Sequence, residues 1–210
     1  MKALGARRPV AVWSSSGGFA RSLLDLLRRL GASGFIPRSV GECRKASRIL
    51  LDRFDEPLLP AGCASQGALI VVDRSDPLGS MVDVVEKLSR PYEYLMGIDP
   101  GMRMHGVALL ANGTLVYGGV YGSVEEVASL ACSVSSRVSA PLLVGVGSSP
   151  SAAEAGRRIA ALLSGCGLDV KMVDEHSSNK EYVPGMEPAL EGVSTHVRAA
   201  AVIALRASTR

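Results

Sequence analysis

Aromatic residues are scarce: one Trp, five Tyr and three Phe make up 4% of the 210 residues. So few rings argue against a surface that stacks successive bases of a single strand. No apolar run approaches the roughly 18 residues of a bilayer span, so neither a membrane helix nor a membrane partner is expected. Met1 to Arg8 ends in a basic pair with no apolar stretch before it, unlike a secretory signal. Cysteine is sparse as well. Cys43, Cys63, Cys132 and Cys166 show no Cys-x-x-Cys spacing. This reading excludes a zinc knuckle, expects no disulfide framework and places the chain in a reducing cytoplasm. At 47% hydrophobic and net charge +3, the chain is too apolar to be disordered.

The small net charge conceals two unequal halves. Residues 1–90 carry 14 Lys and Arg against 9 Asp and Glu, while residues 91–210 carry 9 against 11. A basic half can follow a polyanion, and an acidic half can hold a cation. Arg, which dominates the basic half, suits bidentate contacts with phosphate.

Hydrophobic patterning divides the chain at the turn-rich Ser89-Arg90-Pro91. In residues 1–90, strands are expected at Val10–Trp13, Phe35–Ile36 and Ala68–Val72. Helices are expected at Phe19–Leu30, Glu42–Phe54 and Leu78–Leu88, with Glu56–Gly67 as loop. This order predicts a small parallel α/β domain. Ser14-Ser15-Ser16-Gly17-Gly18 reads as a loop that caps the first helix; it matches no phosphate-loop fingerprint. In residues 91–210, strands are expected at Tyr94–Ile98, Gly106–Leu110, Thr114–Tyr121, Leu142–Val146 and Val170–Val173. Asn112-Gly113 is a strong hairpin turn signal. Helices follow at Ser123–Val134, at Ser149 to about Leu163 and at Ser194 to about Ala207, with a loop around Pro184, Gly185 and Pro188. The result is a three-strand meander followed by parallel crossovers.

Candidate chemistry sits at three element ends. Asp99 closes the first strand of the second half, where open α/β sheets bind ligands. Gly101 permits a sharp turn after it, and Gly106 permits a ligand to approach the next strand. Asp174 and Glu175 end the last strand. Neighbouring strand residues point to opposite faces, so one of the two can join Asp99; Asp174 is the choice, with Glu175 as an orienting or ligating group. His196 lies in the first turn of the final helix.

These motifs resemble the RuvC and YqgF branch of the RNase H-like fold, over about 115 residues from Tyr94 onward. The resemblance rests on Gly97-Ile98-Asp99-Pro100-Gly101 with Gly106-Val107-Ala108, on Leu143-Val144-Gly145-Val146-Gly147-Ser148, and on Val173-Asp174-Glu175. It also rests on the closing Ala199-Ala200-Ala201 helix. It implies a mixed sheet with flanking helices and a divalent-metal nuclease that cleaves branched DNA or precursor RNA. It implies Mg²⁺ or Mn²⁺ held by carboxylates, and for symmetric junctions a homodimer. The chain departs from the family at the last motif, where His196 replaces one acid and Ala199 the other. Imidazole suits Mn²⁺ better than Mg²⁺. Three readings of His196 stay open: metal ligand, proton carrier, or the mark of a domain that only binds nucleic acid. Arg28, Arg29, Arg44, Lys45, Arg48, Arg157 and Arg158 are the candidate phosphate contacts, with Arg44 and Arg48 one helical turn apart. Actin-like ATP-binding proteins also begin with a Gly-Ile-Asp-x-Gly strand. They need two large related domains and a Thr after that Gly; one copy of the pattern is present here, and Met102 follows Gly101.

Overall fold

The computed structural model describes residues 9–64, 68–91, 93–174 and 192–209. The chain divides into two compact units, Met1–Arg90 and Pro91–Arg210. Each is α/β.

The first unit contains β1 (Val10–Trp13), α1 (Gly17–Arg29), β2 (Gly34–Phe35), α2 (Val40–Cys43), β3 (Arg48–Asp52), α3 (Ala61–Ala64), β4 (Ala68–Val72) and α4 (Pro77–Leu88). A 3₁₀ turn, Arg53–Leu58, follows β3. The four strands are parallel in the order β2-β1-β3-β4. α1 is amphipathic, and its Leu23, Leu26 and Leu27 are fully buried. Ser16 caps the helix by accepting a hydrogen bond from the Phe19 amide.

The helix expected over Glu42–Phe54 does not form. α2 stops at Cys43, and Arg48–Asp52 is a central strand between β1 and β4. Ile49, Leu50 and Leu51 are all buried, as a strand covered on both faces requires. A short apolar run of this kind has no period to tell strand from helix. Arg44 and Arg48 therefore do not share a helix face: Arg44 ends α2 and Arg48 begins β3. The loop expected at Glu56–Gly67 holds the end of the 3₁₀ turn and α3.

The cysteines also correct the sequence reading. Cys43 pairs with Cys63 and Cys132 with Cys166, at Cα separations of 5.4 and 6.1 Å. Both bonds join elements that are remote in sequence, so linear spacing carried no sign of them. With all four paired, the scatter of cysteines no longer argues for a reducing compartment. Among the described residues, no helix is long and apolar enough to cross a membrane.

The second unit contains β5 (Tyr94–Pro100), β6 (His105–Ala111), β7 (Thr114–Tyr121), α5 (Val124–Arg137), β8 (Leu142–Ser148), α6 (Ala153–Gly165), β9 (Asp169–Asp174) and α7 (Thr195–Ser208). The sheet runs β7-β6-β5-β8-β9. β6 is antiparallel to both β5 and β7, and β8 is parallel to β5 and β9. This is the helix-flanked mixed sheet expected of an RNase H-like domain. Asn112 and Gly113 both take positive φ, 47° and 76°, as the tight β6–β7 turn requires. The loop read around Pro184, Gly185 and Pro188 lies outside the described residues.

The two faces of the sheet carry different helices. α7 lies on one face, where Ala200, Ala201 and Ala204 pack with Leu95, Ala108 and Leu110. Val173, Ile203 and Ala207 continue that contact at β9. α6 lies on the other face: a Cβ at its Gly156 would touch Pro100 and Met172, which have the opposite strand parity. α5 packs beside α6.

Candidate functional site

Two residues remote in sequence meet at the carboxyl end of β5. His196 Nδ1–H donates to Asp99 Oδ2 at 2.8 Å. The Asp99 side chain is 14% exposed and that of His196 43%. Asp99 arrives on the central strand of the sheet. His196 arrives on the first turn of α7, just after Ser194, whose hydroxyl accepts the Val197 amide.

Small residues permit this approach. A Cβ on Gly106 would strike the backbone carbonyl of His196, while one on Gly101 would strike the Met104 carbonyl and make only an ordinary contact with the imidazole. Gly106 thus admits the start of α7, where the sequence suggested a ligand. Ala199, at a position where RuvC members carry an acid, is buried against the sheet.

Asp174 stands at the same end of the sheet, two strands from Asp99, in register with Ser148. Its parity is opposite to that of Val173, which packs against α7. The Asp174 side chain therefore points to the α6 face, while its carbonyl accepts a 2.7 Å hydrogen bond from Arg206. Asp99 and His196 come together; Asp174 ends a strand at the same end of the sheet, in opposite register parity to Asp99. Glu175 lies outside the described residues. Among the described residues, no group of three His, Cys, Asp or Glu is placed to hold a metal ion.

The basic candidates fall into three groups. Arg44, Lys45, Arg48 and Arg157 are exposed. Arg28 and Arg158 are also exposed, but Arg28 pairs with Asp25 at 3.1 Å and Arg158 pairs with Glu125. Arg29 is half-buried and bonds the Asp25 carbonyl; burial lowers its pKa.

Two features escaped the sequence reading. His105 is 4% exposed, and its Nδ1 has no hydrogen-bond partner. Burial lowers its pKa, with Asp99 and Glu125 opposing and His196 assisting that shift. Strand parity was the available signal, because His105 must face away from the neighbouring Gly106.

The second feature is a polar network in the first unit, where β1 and β3 end at the sheet's switch point. The Ser14 hydroxyl donates to Asp52 at 2.9 Å, and the Ser15 amide and hydroxyl both donate to Asp55 at 2.7 Å. Arg74 lies 3.5 Å from Asp52 and donates to Ser15 Oγ. Both carboxylates are buried and satisfied, so the network braces the Ser/Gly loop. Asp52 fell within the misread helix, and Asp55 just past its end.

No family model and no curated protein sequence matches the chain. Among solved structures, T. thermophilus RuvC in complex with Holliday junction substrate is similar at TM-score 0.41 and 18% identity, over 54% of this chain and 90% of that one. A second Thermus thermophilus RuvC structure gives TM-score 0.40 and 17% identity, over 53% and 90%. The ethanolamine utilization protein EutJ from Carboxydothermus hydrogenoformans gives TM-score 0.33 and 16% identity, over 49% and 47%.

Proposed function

We propose that the second unit is a divalent-metal nuclease that cleaves phosphodiester bonds in structured nucleic acid, branched DNA or precursor RNA. The observation that carries this reading is the 2.8 Å Asp99–His196 contact at the carboxyl end of the central strand. It lies where the motif resemblance to RuvC and YqgF proteins puts the reaction centre.

The donor chemistry fits one divalent ion. Asp99 offers a carboxylate oxygen, and His196 Nδ1–H is bonded to that same carboxylate; an ion taken by both residues would require the imidazole to turn, and that mixed set would favour Mn²⁺ over Mg²⁺. An ion held there would supply an acidified water and neutralise charge on the phosphate. The chain's own residues supply orientation and a proton site. With Nδ1 held by Asp99, the imidazole is fixed in one orientation and Nε2 is left to bind an ion or move a proton. For a third donor we assign the Asp174–Glu175 pair. The exposed Arg44, Lys45, Arg48 and Arg157 are the phosphate contacts this reading favours, followed by Arg28, Arg29 and Arg158 once their present contacts are exchanged.

A specific observation favours a second reading, a domain that binds nucleic acid without cutting it. Ala199 is buried at an acid position of the RuvC members, and no three-residue donor cluster exists among the described residues. A labelled panel separates the two: a four-way DNA junction, duplex DNA, structured RNA and single strands, each in Mg²⁺ and in Mn²⁺. The nuclease reading expects cleavage of a structured substrate, strongest in Mn²⁺. Salt-dependent binding without cleavage in any lane supports the second reading.

A further inference from the structure

The hairpin that carries Asp99 continues past it into an exposed tip. Asp99 pairs with Gly106 and Pro100 with His105, and residues 101–104 close the turn between β5 and β6. The turn is folded tightly on itself, since a Cβ at Gly101 would meet the Met104 carbonyl. Met102, Arg103 and Met104 are all exposed there, at the carboxyl end of the central strand and directly beyond Asp99.

Met102 is 85% exposed, more than any other large hydrophobic side chain among the described residues, and Met104 is 43% exposed. One exposed apolar side chain is ordinary on a protein surface. Here two of them flank an arginine on a single turn beside the Asp99–His196 pair. The core does not need them: α7 packs on one face of the sheet without either methionine, and α6 packs on the other. Nor do they suit the metal chemistry, because thioethers are poor ligands for Mg²⁺ or Mn²⁺.

Their chemistry fits a base face. Methionine is unbranched, flexible and polarizable, and its sulfur makes favourable contacts with aromatic rings. It is among the apolar side chains that enter between base steps and unstack them. Unstacking costs energy at each step of a continuous duplex, but least where pairing or stacking is already broken. A guanidinium between two such side chains is placed to hold the flanking phosphate. An apolar tip with an arginine in it therefore discriminates a broken base stack from a continuous one. We propose that Met102 and Met104 form a wedge that packs on the uncovered base pair at a branch point or helix end, with Arg103 on the adjacent phosphate. This rests on reading the carboxyl end of β5 as the nucleic-acid site. The three are positioning residues: they set the preference for structured substrates without touching the reacting atoms.

The test uses the full chain in EDTA, so that cleavage plays no part. The probes are a four-way DNA junction with 2-aminopurine at the branch, a stem–loop RNA with it at the loop-closing pair, and a continuous DNA duplex with it at mid-length. The parent should bind an interrupted probe more tightly than the duplex and raise its fluorescence, as unstacking does, with no rise on the duplex. The Met102→Ala, Met104→Ala double variant should lose most of that rise and bind the interrupted probe about tenfold more weakly, with duplex binding changed less than about twofold. Met102→Leu keeps an apolar wedge and should keep the signal. Arg103→Gln should weaken all probes alike and lower the salt dependence. All three positions are exposed, and thermal unfolding checks that the variants fold. An unchanged fluorescence rise in the double variant, an equal loss on duplex and interrupted probes, or a parent that binds no probe overturns the proposal. Cleavage in Mn²⁺ separates it from the nuclease reading. A fluorescence rise without cleavage overturns that reading and leaves the wedge standing; parental cleavage of a branched substrate by the double variant overturns the wedge alone.

Discussion

Gly97 of β5 lies backbone to backbone against Ala200 of α7. A Cβ at position 97 would fall on the Ala200 carbonyl and within 2.7 Å of the Ala204 amide. Neither neighbour is a flexible side-chain end, so nothing there can yield cheaply. Gly97→Ala should therefore cost at least about 2 kcal/mol by overpacking. It should also push the start of α7, and His196 with it, away from Asp99. Thermal unfolding of the variant against the parent checks this; an unchanged melting temperature would show that α7 does not sit this close.

Acid sensitivity should come in part from the first unit. Burial pushes the Asp55 carboxyl up, but the Ser15 amide and hydroxyl, with Arg74, bring it below the ordinary carboxylate range. A carboxyl lowered on folding adds stability above its unfolded pKa and loses it as pH falls through the folded value. The expected window lies below about pH 4. Asp55→Asn should be less stable than the parent at neutral pH, and the two curves should converge in acid. Melting temperature against pH for both proteins gives the answer; parallel curves would contradict the assignment.

Both disulfides should add stability through the unfolded state. They span 20 and 34 residues of sequence. The chain-entropy estimate for loops of that size is roughly 3 to 4 kcal/mol each. A thiol assay on the denatured, unreduced protein should find no free thiol. Reduction should then lower the melting temperature by many degrees. Four titratable thiols before reduction would contradict the pairing.

The third donor can be located by substitution. At least one of Asp174→Asn and Glu175→Gln should strongly depress metal-dependent cleavage, since the proposed function takes its third donor from this pair. Cleavage rates at saturating Mn²⁺ separate the two. Parental rates in both variants would contradict a donor from this pair.

Legibility in the sequence followed the physics of each element. The meander of the second unit was readable because Asn112-Gly113 dictates a tight turn and apolar runs flank it on both sides. The pairing of Asp99 with His196 was reachable, since one ends a buried strand and the other opens an apolar helix. β3 was not, because Ile49-Leu50-Leu51 has no internal period and sits among Arg residues that suit a helix surface. The disulfides were illegible because pairing depends on distance in space.

The central claim is that Asp99 and His196 act as one unit, and a double-substitution cycle on nucleic-acid cleavage tests it most directly. Asp99→Asn and His196→Gln are compared singly and together, on folded protein, with a junction or structured RNA in Mn²⁺. The account predicts that each single change lowers the rate by at least about 100-fold, and that the double change costs no more than the worse single one. Independent, additive losses, or a His196→Gln protein that cleaves at the parental rate, would contradict it.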